Sequence, residues 1–240
     1  MTVSGQSSEF FAEDFSMAKK YFSLSEILLW SLSVILIAVS FFIFDRENYA
    51  VLAVSLIGAT SLILNAKGNV AGQVLTVFFS LIYAVISFKS KYYGEMITYL
   101  GMTSPIAILS VITWLKNPFE KGKAEVKINF LSLKEYAFLG ILATAVTVIF
   151  YFILDFFDTS QIVLSTLSVF TSFIASYLTM RRSEYYAIAY SLNDIILIML
   201  WILAESPSMV ICFLVFLIND VYGFLSWAGM KKRQSKKRTL

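Results

Sequence analysis

Histidine is absent from this 240-residue chain, cysteine occurs once, proline three times, and charged side chains make up only 15% of the sequence. Each shortage closes off a class of function. Without histidine there is no imidazole general base, no imidazole metal ligand and no carrier of the commonest proton-relay chemistry. The lone Cys212 sits inside an apolar run, so neither a disulfide framework nor a thiolate metal site is available. No HExxH, G-x-S-x-G or phosphate-cradling glycine loop is present. An intramembrane pair of aspartates, Asp194 and Asp220, is the one enzymatic alternative, and it would need the two acids on facing helices with polar support for cleavage. The composition calls for no cofactor and no metal.

What fills the chain instead is apolar: 58% of residues are hydrophobic, arranged in continuous blocks rather than alternating ones. That is the pattern of an all-α membrane protein with several crossings, not of a barrel. Eight transmembrane helices are expected, over 27–44, 49–66, 70–88, 95–115, 136–154, 160–180, 185–203 and 209–229. Most connections are so short that consecutive helices must be antiparallel neighbours; the exception is the basic linker 116–135. Residues 1–26 lack the basic start and small-residue cleavage site of a secretory signal, and read as a partly helical segment on the membrane surface.

Basic residues set the orientation. Sixteen of the 19 fall on one side (Lys19, Lys20, Lys67, five in the linker, Arg181, Arg182 and six in the tail). Arg46, Lys89 and Lys91 fall on the other. Both termini are therefore expected in the cytoplasm. The tail KKRQSKKR is basic enough for nucleic acid, but beside a final span it reads as an anchor touching anionic lipid, and no nucleic acid partner is expected.

Sliding the chain by 113 residues lays spans two to four onto spans six to eight without a gap: Ser55 meets Ser168, Met96 meets Met209 and Trp114 meets Trp227. This predicts a 3+1+3 parallel-repeat core (SWEET-like) plus one extra N-terminal helix. Its parts are 27–48 for the extra helix, 49–115 for the first three-helix repeat, 116–159 for linker and connecting helix, 160–229 for the second repeat and 230–240 for a basic tail. Such repeats build a site near the midplane between the halves. Trp114 and Trp227, at span ends, read as interfacial belt residues.

Polar residues inside the spans mark the candidate site. In span seven a helix puts Tyr186, Tyr190, Asn193 and Trp201 on one stripe with Asp194 at its edge. An ionisable group at that depth costs about 2.5–3.5 kcal/mol on the insertion scale, so it faces a polar cavity or a partner. Span three carries Asn69, Gln73, Thr76, Ser80, Tyr83 and Ser87 at helical spacing, and the repeat sets Gln73 against Tyr186 and Ser80 against Asn193. Span four adds Thr103, with Pro105 available to kink it; span eight adds Asn219 and Tyr222. The competing reading is that these groups only bond neighbouring helices together.

The run GNVAGQ (Gly68–Gln73), the turn KYYGE (Lys91–Glu95) and the stretch DVYGFLSW (Asp220–Trp227) before the basic tail resemble the PnuC family of vitamin transporters, over about 49–235. The family is best known for nicotinamide riboside, with relatives for thiamine and riboflavin. The resemblance implies a three-plus-one-plus-three helix arrangement like that of the SWEET transporters but opposite in orientation, often as a homotrimer. It also implies facilitated diffusion (uniport) across the bacterial inner membrane, with the vitamin trapped by a cytoplasmic kinase. Where the family has a Trp-rich entry to the seventh span, this chain has Tyr186 and Tyr190. Aromatic faces, amides and a carboxyl suit a flat cationic ring bearing a ribose. Thiamine or another flat vitamin is the alternative, and a non-transporting membrane anchor or sensor is the alternative of another class.

Overall fold

A computed structural model describes residues 21–89 and 92–238. The surface segment expected over 1–26 therefore lies mostly outside the described residues. Eight helices are long and apolar enough to cross a membrane: α1 (Leu24–Phe44), α2 (Tyr49–Ala66), α3 (Val70–Lys89), α4 (Tyr93–Leu115), α5 (Leu133–Phe156), α6 (Ile162–Met180), α7 (Tyr186–Leu203) and α8 (Pro207–Arg238). Among the described residues the only β structure is two isolated bridges, Pro118 with Val126 inside the linker and Glu125 of the linker with Asn69.

Local chemistry explains the boundaries. α1 and α5 each begin with a capping box, Ser23 with Glu26 and Ser132 with Glu135, in which hydroxyl and carboxylate satisfy each other's backbone N–H. Asn48 caps α2, and α8 starts on Pro207, whose missing N–H would be unpaired there anyway. Inside α4, Pro105 removes a backbone donor and the helix widens into a π-turn over Tyr99–Thr103, with the Ser104 N–H reaching back to the Tyr99 carbonyl. The expected kink is thus a π-bulge, which turns both Tyr99 and Thr103 inward.

The helices pack in a reciprocal pattern. α3 packs on α2, α7 on both α6 and α8, α4 against α6, and α8 against α2. α1 lies outside, on α2 and α8, and α5 lies along α6 with most of its surface uncovered. One buried cluster joins Val54, Phe79, Tyr83, Tyr99, Trp201 and Phe213; a second joins Trp114, Tyr186, Trp227 and Phe173.

Trp114 and Trp227 are not belt residues. They are 2% and 0% exposed, with rings 5.5 Å apart. The Trp114 indole donates to the Thr179 carbonyl at the end of α6 (2.9 Å), and the Trp227 indole donates to the Asn65 carbonyl at the end of α2 (2.8 Å). Each indole supplies a donor to a helix C-terminus, where carbonyls lack intrahelical partners.

The last helix also runs further than its apolar stretch. At 1.5 Å per residue its 32 residues span about 48 Å, against about 30 Å of hydrocarbon. The extension exists because the 116–132 linker packs on it. Gln234, fully buried, accepts from the Ile128 N–H (2.8 Å) and donates to the Val126 carbonyl (3.0 Å) and Glu125 (2.8 Å). Arg233 pairs with Glu125. Glu120 binds Lys123 and Lys237; their hydrogen bonds hold its carboxyl down to about 2, though on the open surface such pairs add little stability.

The strap then crosses to two turns. The Val126 N–H binds the Gly68 carbonyl and the Asn129 N–H binds the Arg182 carbonyl, both at 3.0 Å. Gly68 has φ +64°, and a Cβ there would sit 3.3 Å from the Val126 side chain, so glycine permits the close approach. Replacing Gln234 with leucine leaves one buried donor and one buried acceptor of the strap unpaired, each worth about 1–3 kcal/mol. The expected result is a clear fall in melting temperature in detergent, with proteolysis newly admitted at the linker.

Candidate functional site

A cavity of about 60 Å³ lies inside the bundle, walled by α2, α3, α4, α6, α7 and α8. Its lining includes Gln73, Thr103, Tyr186, Tyr190, Asn193 and Asp194, so six of the expected site residues meet there. Gln73 from α3 and Asn193 from α7 look into the same space from opposite groups of helices.

Both amides are also held from behind. Gln73 Nε2 donates to Asn65 Oδ1 at 2.8 Å. Asn193 Oδ1 accepts from Thr171 and Ser172 at 2.9 Å and from Ser168 at 3.3 Å, all on α6. The Tyr190 hydroxyl lies 3.1 Å from Ser176 Oγ. These bonds tie α2 to α3 and α6 to α7. Packing and cavity lining are therefore joint roles of the same side chains, and each amide is fixed in orientation by its neighbours. Tyr186 and Tyr190 stand nearly perpendicular, with ring centres 6.2 Å apart, presenting one edge and one face.

Five expected residues are elsewhere. Ser80 donates to the Val77 carbonyl of its own helix. Tyr83 and Trp201 are bonded to each other, indole N–H to phenol oxygen at 2.9 Å, in an aromatic cluster with Phe79, Tyr99 and Phe213. Asn219 donates to Ser33 of α1 at 2.9 Å, and the Tyr222 hydroxyl donates to Glu26 of α1 at 3.1 Å, so that face of α8 serves the extra helix. On a helix a step of one residue turns about 100°, so Asp220 faces the cavity while Asn219 does not.

The sequence reading missed Asn65, Ser61, Gly58, Ser172 and the rings of Phe79, Phe213 and Phe216 as lining groups, and did not count Asp220 among the site residues. Asp220 carried a signal, since the Asn–Asp pair at 193–194 recurs at 219–220. Asn65, at the end of the expected span 49–66, was not singled out. Asp194 and Asp220 are both buried and line the same cavity.

Gly58 makes room for two of the rings. A Cβ there would lie 3.0 Å from both Phe79 Cε2 and Phe216 Cε2 and would overlap the end of the Phe216 ring. Gly58→Ala is expected to turn Phe216 into the cavity and lower transport about ten-fold at low substrate, with folding retained; uptake measured beside a melting curve checks both.

Aromatic clusters adjoin the cavity on two sides, through Tyr99 and through Tyr186, which both line it. The Tyr83–Tyr99–Trp201 cluster lies toward the end opposite the linker, with Tyr83 and Tyr99 ring centres 4.3 Å apart. Tyr186, Trp114 and Trp227 lie toward the linker end, Tyr186 packing edge-on to Trp227 at 4.9 Å.

Known proteins share this architecture. The family model described as nicotinamide mononucleotide transporter matches residues 48–229. The nicotinamide riboside transporter PnuC of Neisseria mucosa is 24% identical over 216 residues, covering 86% of this chain and 82% of that protein. PnuC of Haemophilus influenzae is 24% identical over 208 residues, covering 86% and 91%. A crystal structure of the vitamin B3 transporter PnuC superposes with a TM-score of 0.78 at 20% identity, over 89% of this chain and 94% of that one, which establishes the fold. Eight membrane-length helices, a buried polar cavity between them and a family match across most of the chain converge: this is a multi-pass membrane protein of the nicotinamide mononucleotide transporter (PnuC) family, a family of transporters and not of enzymes.

Proposed function

We propose that this protein carries nicotinamide riboside across the bacterial inner membrane by facilitated diffusion, through the cavity between Gln73 and Asn193. The observation that carries the reading is that cavity: amides and hydroxyls set among tyrosines, at the depth where an unused polar group would be costly. Tyr186 and Tyr190 hold the flat ring, at about 0.5–2 kcal/mol for each cation–π contact. Gln73, Asn193 and Thr103 bond the ribose and carboxamide. A pocket for a ligand of this size takes about 300–1,000 Å³. Binding therefore requires the cavity to widen and the lining rings to swing aside, as alternating access demands.

A 3+1+3 parallel repeat is part of the same reading. It is supported by the matched indole bonds of Trp114 and Trp227, whose acceptors Thr179 and Asn65 are themselves 114 residues apart. The two strapped turns are also 114 apart, with Gly68 and Arg182 both left-handed at φ 64° and 59°. α1 stands outside the repeat. By the positive-inside rule, the basic linker and tail support a cytoplasmic location for that end and for both termini. A homotrimer, and a cytoplasmic kinase that traps the vitamin, complete the proposal on family resemblance.

The test is uptake of labelled nicotinamide riboside into proteoliposomes, with and without a pH gradient. Uniport predicts saturable uptake that stops at equal concentrations and ignores the gradient. Accumulation above the outside concentration would refute facilitated diffusion, and uptake of thiamine alone would refute the choice of vitamin.

A further inference from the structure

Two groups of acids stand in contrast among the described residues. At the linker end Glu26 binds Lys67, Glu125 binds Arg233, Glu135 binds Arg181 and Glu184 binds Lys231: every one has a cation. Among the described residues, no cation pairs with Asp194 or Asp220. The cavity they line contains amides, hydroxyls and rings, but no lysine or arginine. Asp194 Oδ2 is buried without a hydrogen-bond partner. Glu95, another buried acid, lies outside the cavity lining. The two aspartates are thus buried acids with no counter-ion among the described residues, in a cavity that Tyr186 and Tyr190 also line. Carboxyl groups with aromatic walls are the components of an organic-cation site.

We propose that Asp194 and Asp220 together form a charge filter, which makes the cavity selective for vitamins carrying one positive charge on a flat ring. The filter rests on the transport reading above but adds to it: ring charge, and not only ring shape, decides what is carried, and Asp220 is a specificity-determining residue alongside Asp194. A neutral ring leaves the carboxyl pair without its partner in a site shut off from water. A ring bearing its own carboxylate sets like charges together, where the low local dielectric makes repulsion strong.

The experiment is competition against uptake of labelled nicotinamide riboside in proteoliposomes. The competitors are unlabelled nicotinamide riboside, its uncharged dihydropyridine form on the same skeleton, and nicotinic acid riboside, in which a carboxylate replaces the carboxamide and cancels the ring charge. The cation should compete at least ten-fold better than either. In Asp220→Asn and in Asp194→Asn the half-saturating concentration of the cation should rise at least ten-fold, equivalent to about 1.4 kcal/mol. That of the uncharged form, read by its direct uptake, should stay within two-fold. A merely structural role would weaken both alike. Equal competition in the unmodified protein, or an unchanged preference in the variants, would overturn the filter; should the variants not fold, competition in the unmodified protein decides. If no riboside is carried at all, the vitamin assignment fails. The filter is then read from thermal stabilisation by thiamine, a cation, against riboflavin, which is uncharged: thiamine should stabilise more, and equal shifts would overturn it.

Discussion

Replacing Asn193 with leucine is expected to lower the affinity for the transported vitamin about 100-fold while the protein still folds. The side chain supplies an amide to the cavity, and two hydrogen bonds at about 1–1.5 kcal/mol each account for that loss. Its contribution to folding is smaller. Thr171 already reaches the Leu167 and Ser168 carbonyls of its own helix, so that hydroxyl keeps an acceptor once the Asn193 oxygen is gone. Measured interhelical bonds in a bilayer average only about 0.6 kcal/mol. Gln73→Leu should act in the same direction, with the added effect of leaving Asn65 Oδ1 without its donor. Binding titration beside size-exclusion chromatography reads both quantities. Intact uptake with disrupted oligomers would instead mean that these amides serve assembly.

The second large effect concerns stability. Trp227→Ala removes a fully buried indole, its bond to the Asn65 carbonyl and its contacts with Trp114 and Tyr186. Large-to-small changes of this kind cost about 3–5 kcal/mol in well-packed cores. Lipid is itself apolar, so the lower end of that range is expected here, where packing and the hydrogen bond remain the driving terms. Trp227→Phe keeps much of the packing and should lose only about 1 kcal/mol. Trp114→Ala should resemble Trp227→Ala, since its bond to Thr179 mirrors the other. Thermal unfolding in detergent distinguishes this from a membrane-belt role, in which each substitution would be nearly silent.

The helices were legible because a membrane span leaves a signal that nothing else imitates, an apolar run of about 20 residues. The start of each observed helix lies within three residues of its expected start. The end of α8 and the linker were not legible. Their union depends on backbone N–H and carbonyl groups meeting one buried glutamine, and none of these gives a periodic pattern; only the buried Val126 and Ile128, two apart, hinted at it.

The same asymmetry runs through the site. A polar residue in a span announces that it needs a partner but not which one. For Gln73, Asn193 and Asp194 the partners include the cavity. For Asn219 and Tyr222 they are Ser33 and Glu26 on α1, a helix that a repeat-based reading sets aside. For Tyr83 and Trp201 the partner is each other. The tryptophans at 114 and 227 show a related limit, since a span-end indole facing lipid and one facing a helix end look alike in sequence.

The central claim is that Gln73 and Asn193 reach one ligand from opposite walls of a single chamber. The most direct test is an experimental structure with nicotinamide riboside bound. The account predicts density for the ring beside Tyr186 and Tyr190, with the ribose and carboxamide within hydrogen-bonding distance of both amides. Ligand density outside that chamber, with Gln73 still bonded to Asn65 and the cavity between the amides unfilled, would contradict it.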